Sequence, residues 1–153
     1  MIRREEFIRI CHQLAIEAGE NGDHPFGAIL VADDEILMKA KNTVNSDKDS
    51  TRHAELNLVV ASQRALPMDL IKRSTLYAST APCLMCTAAM WSAGIRRIVY
   101  SVTYEAFARK VPGRDRYIKC GEVYRQLGTE AEVTEGVLEE EGLRVYEHWP
   151  RAS

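Results

Sequence analysis

Fifteen residues, Thr80 to Gly94 (TAPCLMCTAAMWSAG), restrict this chain more than any other stretch: they place two cysteines three apart at the head of an apolar run that ends on glycine. A CxxC step at a helix start brings both sulfurs within reach of one zinc ion. The free N–H groups and the positive dipole end of a helix beginning near Cys83 lower both thiol pKa values and favour the metal-binding thiolates. His53, thirty positions upstream in Arg52-His53-Ala54-Glu55, supplies a third ligand. Three protein ligands leave the fourth tetrahedral position to water, as in a catalytic rather than a structural zinc site. Glu55, two residues beyond His53, can take a proton from that water without being a ligand. Two plainer readings stand beside this one. The CxxC step can be a redox pair, or the zinc site can be closed by Cys120 or Cys11, which would leave Glu55 without a task.

At 153 residues the chain is read as a single domain over 1–153, long enough to bury a sizeable core. Charged residues at 27%, apolar ones at 46% and a net charge of −2 describe an ordinary globular protein with no general attraction for nucleic acid or an anionic membrane. No apolar stretch approaches membrane-spanning length, and the start, MIRREEFIRICHQLA, carries acidic residues and no cleavage pattern, so a cytoplasmic protein is expected. Four cysteines, two of them in a metal motif, do not make a disulfide framework.

Taken in order, Phe7, Ile10, Cys11, Leu14, Ala15 and Ala18 recur at helical spacing and predict a helix over Arg3–Ala18, ended by Gly19 and Gly22. Gly27–Ala32 and Glu35–Ala40 read as strands joined by a turn at Asp33-Asp34. The polar stretch Lys41–Arg52 is a loop that delivers the chain to His53, and a helix from His53 to Leu66 is stopped by Pro67. Ser74–Ser79, the helix Cys83–Ala93 and Arg97–Ser101 make a βαβ unit whose active-site loop lies at the carboxyl end of its first strand. Beyond it, short helices over Tyr104–Lys110 and Glu122–Leu127, a loop over Val111–Lys119, a strand over Glu132–Leu138 and a final helix over Glu139–Trp149 are expected. Arg109, Lys110, Arg114, Arg116 and Lys119 are read as a solvated basic edge.

His-x-Glu (HAE, 53–55) followed by Pro-Cys-x-x-Cys (PCLMC, 82–86) is the pattern of zinc-dependent base deaminases. The chain resembles the cytidine deaminase-like superfamily, in the branch that holds guanine deaminases, fungal-type cytosine deaminases and tRNA adenosine deaminases. The resemblance runs from Phe7 to Tyr100 and is looser beyond. It implies a three-layer α/β/α fold around a five-stranded mixed sheet and one Zn2+ on His53, Cys83 and Cys86. It also implies Glu55 as proton carrier and a homodimer whose partner helps to shape the pocket.

The substrate is argued from the remaining residues. Pro25-Phe26-Gly27-Ala28 looks like the PFGA of guanine deaminases, with Phe26 available to stack on a purine. Asn42 matches an asparagine that reads the base edge, its amide offering donor and acceptor together. Asp115 resembles an acid that guanine deaminases set over the pocket as a second catalytic group, and Ala54 and Trp91 fall at substrate-contact positions. Ala81 stands where most guanine and tRNA enzymes carry Glu, and Trp91-Ser92 where guanine deaminases carry Tyr-Trp. Trp149 and Glu147 sit where cytosine deaminases keep a closing aromatic and acid. The implied reaction is deamination of a free nucleobase, guanine to xanthine. Cytosine or another amino-heterocycle such as a pterin, triazine or nucleoside is the main rival. A tRNA adenosine deaminase and a non-catalytic zinc-binding partner stand further off.

Overall fold

The first apolar stripe folds as α1 (Arg3–Glu20), burying Phe7, Ile8, Cys11, Ala15 and Ala18 on one face, as the three- and four-residue spacing requires. In this computed structural model residues 3–151 are described. Strands β1 (Gly27–Ala32) and β2 (Glu35–Lys41) pair antiparallel. Asp33 and Asp34 both take left-handed φ, +54° and +61°, the conformation a two-residue type I′ hairpin needs. Every residue of β1 is buried, because β3 (Thr75–Thr80) flanks it on the other side, also antiparallel.

The sheet continues with β4 (Arg97–Val102) parallel to β3, and β5 (Glu132–Thr134) parallel to β4, in the order β2-β1-β3-β4-β5. Period-two alternation sends side chains to opposite layers. Ala28, Leu30, Leu76, Ala78 and Ile98 face a core shared with α2 (Ala54–Ala65) and α4 (Leu84–Ser92). Ile29, Val31, Tyr77 and Val99 face α1. The expected three layers and five-stranded mixed sheet are therefore present. Gly27 marks where α1 lies closest to the sheet, since a Cβ there would come within 2.6 Å of the Cys11 carbonyl and of the Leu14 Cβ.

The crossover helix α4 ends on Gly94 at φ +88°, with Gly94 N–H donating to Trp91 O and Ile95 N–H to Met90 O. That is a Schellman cap, and it turns the chain into β4. In such a βαβ unit the carboxyl ends of the parallel strands form a crevice, and α2 and α4 both start there.

Several elements differ from expectation. Pro67 ends α2 and also opens a further short helix, α3 (Met68–Lys72). After α5 (Tyr104–Lys110) and α6 (Cys120–Gln126), β5 stops at Thr134 rather than Leu138, because Gly136 and Leu138 take positive φ and turn the chain away. The final helix is divided into α7 (Glu139–Leu143) and a 3-10 turn, Arg144–His148. Gly142 there lies so close to β4 that a Cβ would come within 2.7 Å of Val102 Cγ2. Val145 and Tyr146 are buried, and the Tyr146 hydroxyl meets Thr80 Oγ1 at 2.6 Å. Among the described residues no helix is long and apolar enough to cross a membrane.

Candidate active site

The polar loop that precedes His53 is held by three side chains. Asp23, buried just beyond α1, accepts from Asn45 N–H (2.9 Å), Ser46 N–H (2.8 Å) and Ser46 Oγ (2.8 Å). Asn57, on the first turns of α2, donates through Nδ2 to Lys41 O, Thr43 Oγ1 and Arg52 O. Asn42, also buried, accepts at Oδ1 from Val44 N–H (3.0 Å) and His24 N–H (3.4 Å). With the loop fixed from both ends, His53 becomes the N-cap of α2 in extended conformation, and Glu55 enters the first turn, 6% exposed.

Cys83 occupies the matching position on α4, as its N-cap, and Cys86 lies on the first turn. The Thr87 N–H and hydroxyl both donate to the Cys83 carbonyl, fixing that corner. Cys83 Sγ and Cys86 Sγ lie 3.5 and 3.6 Å from His53 Nδ1. A tetrahedral zinc with bonds of about 2.3 Å to sulfur and about 2.05 Å to nitrogen separates S from N by about 3.6 Å, so the donor set fits that ion. Among the described residues this is the group of metal-ligating side chains that converges, with all three donor atoms within 4.8 Å of one another. Cys11 and Cys120 are buried elsewhere and do not join it, leaving three ligands and an open position.

The local chemistry suits metal binding and proton transfer. The Cys86 thiol donates to Cys83 and, with His53 and the α4 N-terminus, brings the Cys83 thiol down to about 4. Cys86 is raised by that same bond and by burial. Burial, and then the Cys83 charge, raises Glu55 to about 7, against the opposing pull of His53. A carboxyl poised near neutrality is suited to accept and return a proton.

Above these groups is a cavity of about 260 Å3. Phe26 and Asn42, two of the residues expected to contact substrate, line it with His53, Glu55 and Cys83. Three other expected residues are placed outside its lining. Ala54, the first residue of α2, is fully buried in the core. Trp91 donates from Nε1 to Thr129 Oγ1 and borders a separate surface groove. Eight residues at about 1.5 Å of rise carry it about 12 Å down α4 from Cys83. Asp115 is exposed on the loop after α5, and the residue of that loop that lines the cavity is its neighbour Arg114. Thr80, Ala81, Tyr104, Phe107 and Ser50 also line it. Tyr104 and Phe107 lie at i and i+3 on α5, a spacing that points two aromatics to one side, and was legible. Trp149 caps the aromatic cluster from the tail, stacked on His24 (4.9 Å between ring centres, 29° between planes) and edge-on to Phe26 (5.5 Å, 88°). Glu147 is exposed.

The chain is similar to several known proteins. The zinc-binding region of cytidine and deoxycytidylate deaminases matches residues 1–102. A tRNA-specific adenosine deaminase from Buchnera aphidicola is 35% identical over 103 residues, 67% of this chain and 68% of that protein. A probable cytosine deaminase from Schizosaccharomyces pombe is 37% identical over 103 residues, covering 65% of this chain and 60% of that one. A structure of guanine deaminase from Nitrosomonas europaea superposes with a TM-score of 0.78 over 94% of this chain and 82% of that one, at 17% identity, a likeness of fold. With a metal-ligand triad that fits zinc, a buried carboxyl beside it and a motif match over two thirds of its length, the chain belongs to the cytidine and deoxycytidylate deaminase zinc-binding family, as a zinc-dependent aminohydrolase.

Proposed function

We propose that this chain removes the amino group of a small amino-heterocycle of nucleobase size, with guanine to xanthine as the leading reaction. The observation that carries the reading is Glu55, held beside the metal ligands on the floor of a cavity of about 260 Å3 walled by Phe26 and Tyr104. Zinc held by His53, Cys83 and Cys86 would supply Lewis acidity that lowers the pKa of a water. Glu55 accepts a proton from that water and hands it to the ring nitrogen beside the amino-bearing carbon. It then takes the second proton from the hydroxyl now on that carbon and delivers it to the amino group. The water oxygen bonds to carbon, the C–N bond breaks and ammonia leaves. Because Asp115 is off the cavity, both transfers fall to Glu55.

Asn42 reads the ring. Its Oδ1 is committed to two backbone N–H groups, so its amide NH2 remains for the substrate and selects a ring carbonyl or unprotonated ring nitrogen. Guanine and cytosine both offer one. Ala81 in the wall and the S. pombe relative favour cytosine as the second reading. The reading includes a homodimer, since Leu84, Tyr117 and Ile118 expose apolar side chains beside Cys83. Light scattering that shows a monomer at micromolar concentration removes that part.

The test is ammonia release by zinc-loaded protein from guanine, cytosine, adenine, a pterin, an aminotriazine and an anticodon-loop RNA. Release from guanine upholds the leading reaction, and release from another free heterocycle keeps the chemistry and moves the substrate. Release from the RNA alone, or from nothing in the panel, refutes the proposal.

A further inference from the structure

The loop between α5 and α6 contributes one side chain to the cavity, and that side chain is a cation. Arg114 lines the mouth with its guanidinium carbon 5.5 Å above the centre of the Trp149 ring. Trp149 is itself held by His24 on one side and by the edge contact with Phe26 on another. Aromatic packing therefore positions the guanidinium plane without neutralising it. Among the described residues Arg114 has no carboxylate partner, whereas Lys119 in the same stretch pairs with Glu105 and Glu135, and Arg52 pairs with Asp49.

The carboxylate that does line the cavity, Glu55, lies at the buried end and already serves as the proton carrier. Arg114 is thus free for whatever enters. Its neighbour His24 has its pKa lowered by burial and then by the Arg114 charge, which favours the neutral imidazole, a hydrogen-bonding group that brings no second positive charge. A guanidinium at the cavity mouth, set over an aromatic ring and without a carboxylate partner, is a receptor for a planar or tetrahedral oxyanion. A neutral free base such as guanine or cytosine has nothing to give it.

We propose that the substrate is an amino-heterocycle that carries an oxyanion, a carboxylate or a phosphate, on the edge away from its amino group, and that Arg114 grips this anion against Trp149. This rests on the deaminase reading above, keeps its chemistry, and moves the preferred substrate from neutral guanine or cytosine to an anion-bearing ring. At about 260 Å3 the cavity is smaller than the roughly 300–1,000 Å3 of drug-sized pockets. A ring bearing a carboxylate fills it, and a sugar-borne phosphate reaches Arg114 from outside. A polynucleotide would need a stripe of unpaired cations along its path. Lys119 and Arg52 are paired and the whole chain is at −2, whereas Arg109, Lys110 and Arg116 have no ion pair among the described residues, so RNA is kept as an outcome of the test.

The test separates binding from turnover. Zinc-loaded Glu55→Gln protein is titrated by calorimetry with matched pairs, pterin against pterin-6-carboxylate, cytosine against cytosine-6-carboxylate, and cytidine against its 5′-phosphate. The anionic member of at least one pair binds about tenfold or more tightly, as a charge-assisted contact in a half-enclosed site requires. The advantage shrinks as salt rises and is lost in the double variant with Arg114→Gln, while Arg114→Lys keeps part of it. A preference within the carboxylate pairs identifies a ring acid, and one confined to the phosphate pair identifies a nucleotide. Equal affinity within every pair overturns the proposal, as does an anion preference that survives Arg114→Gln. Arg114-dependent binding of an anticodon-loop RNA tighter than of every small anion overturns it in favour of RNA. Ammonia release by the wild-type protein is followed alongside. Turnover with no anion preference ends this inference and keeps the deaminase reading, and anion preference with no turnover of any compound ends the deaminase reading and, with it, the claim that the anion belongs to a substrate.

Discussion

Replacing Asp23 removes no group from the cavity and yet weakens it. In Asp23→Ala the N–H groups of Asn45 and Ser46, the Ser46 hydroxyl and the Asn21 amide lose an ionised acceptor at 2.8 to 3.3 Å. Hydrogen bonds to a charged group contribute roughly 1.5–3 kcal/mol each and are not additive. Asn45 and Ser46 are themselves exposed and recover water, so the expected loss is about 3 kcal/mol. At roughly 2–4 °C per kcal/mol for a chain of this length, that lowers Tm by about 10 °C. Asp23→Asn keeps one oxygen for the two backbone donors and sets its NH2 against the Asn21 amide, for a loss of about 1 kcal/mol. Burial raises the Asp23 pKa, but the Ser46, Asn21 and Asn45 donors outweigh it and the folded value lies below the usual one. A depressed folded pKa gives stability that is fully present above the unfolded value of about 3.9 and is lost as pH falls through the folded one. Asp23→Asn therefore destabilises at neutral pH and less so in acid. The assay is urea unfolding at pH 7 and pH 3, with KM alongside, which rises because the loop carries Val44 and Ser50 into the cavity wall. A loss under 1 kcal/mol for Asp23→Ala, or the same loss for both variants, refutes the reasoning.

Glu55→Gln keeps one zinc per chain by metal analysis and lowers turnover by about 10²–10⁴-fold; loss of the metal with the activity would make Glu55 a ligand instead of a proton carrier. Cys83→Ala releases zinc, and Cys120→Ser retains it while costing stability in the core, both read by metal content after dialysis; equal release from the two would restore the closed site. Tyr146→Phe breaks the buried contact with Thr80 and lowers stability by about 1 kcal/mol, and an unchanged melting curve would show that the tail is anchored by Val145 and the aromatic cluster alone.

The metal ligands and Glu55 were legible in the sequence because their chemistry imposes short spacings, and both motifs sit at helix starts that the apolar period locates. The Asp33-Asp34 turn and the Gly94 cap were legible for a similar reason, since each depends on residues that tolerate positive φ. Asp23 was not. An acid after a helix carries no sign that its partners lie more than twenty residues on. Arg114 and Asp115 are adjacent on an irregular backbone, where no period fixes which side chain turns inward, so the expectation fell on the wrong neighbour for cavity lining. Trp91 was misplaced for the opposite reason, because its helix is regular and runs away from the metal end. The tail split into two kinds of helix because Gly142 had to approach β4 closely, a tertiary demand with no local trace.

His53 and the two cysteines stand at the starts of different helices, and α2 and α4 meet along a seam through Leu58, Val59, Cys86 and Met90. Zinc held there is a clip closing a loop of about thirty residues, as well as a reagent. Metal affinity and the docking of the two helices are then one linked equilibrium. Trimming Met90, a turn beyond Cys86, weakens zinc binding without touching a ligand, and stripping zinc loosens the seam before it disturbs the sheet. Selection on the core of this chain is, to that extent, selection on how firmly it holds its metal.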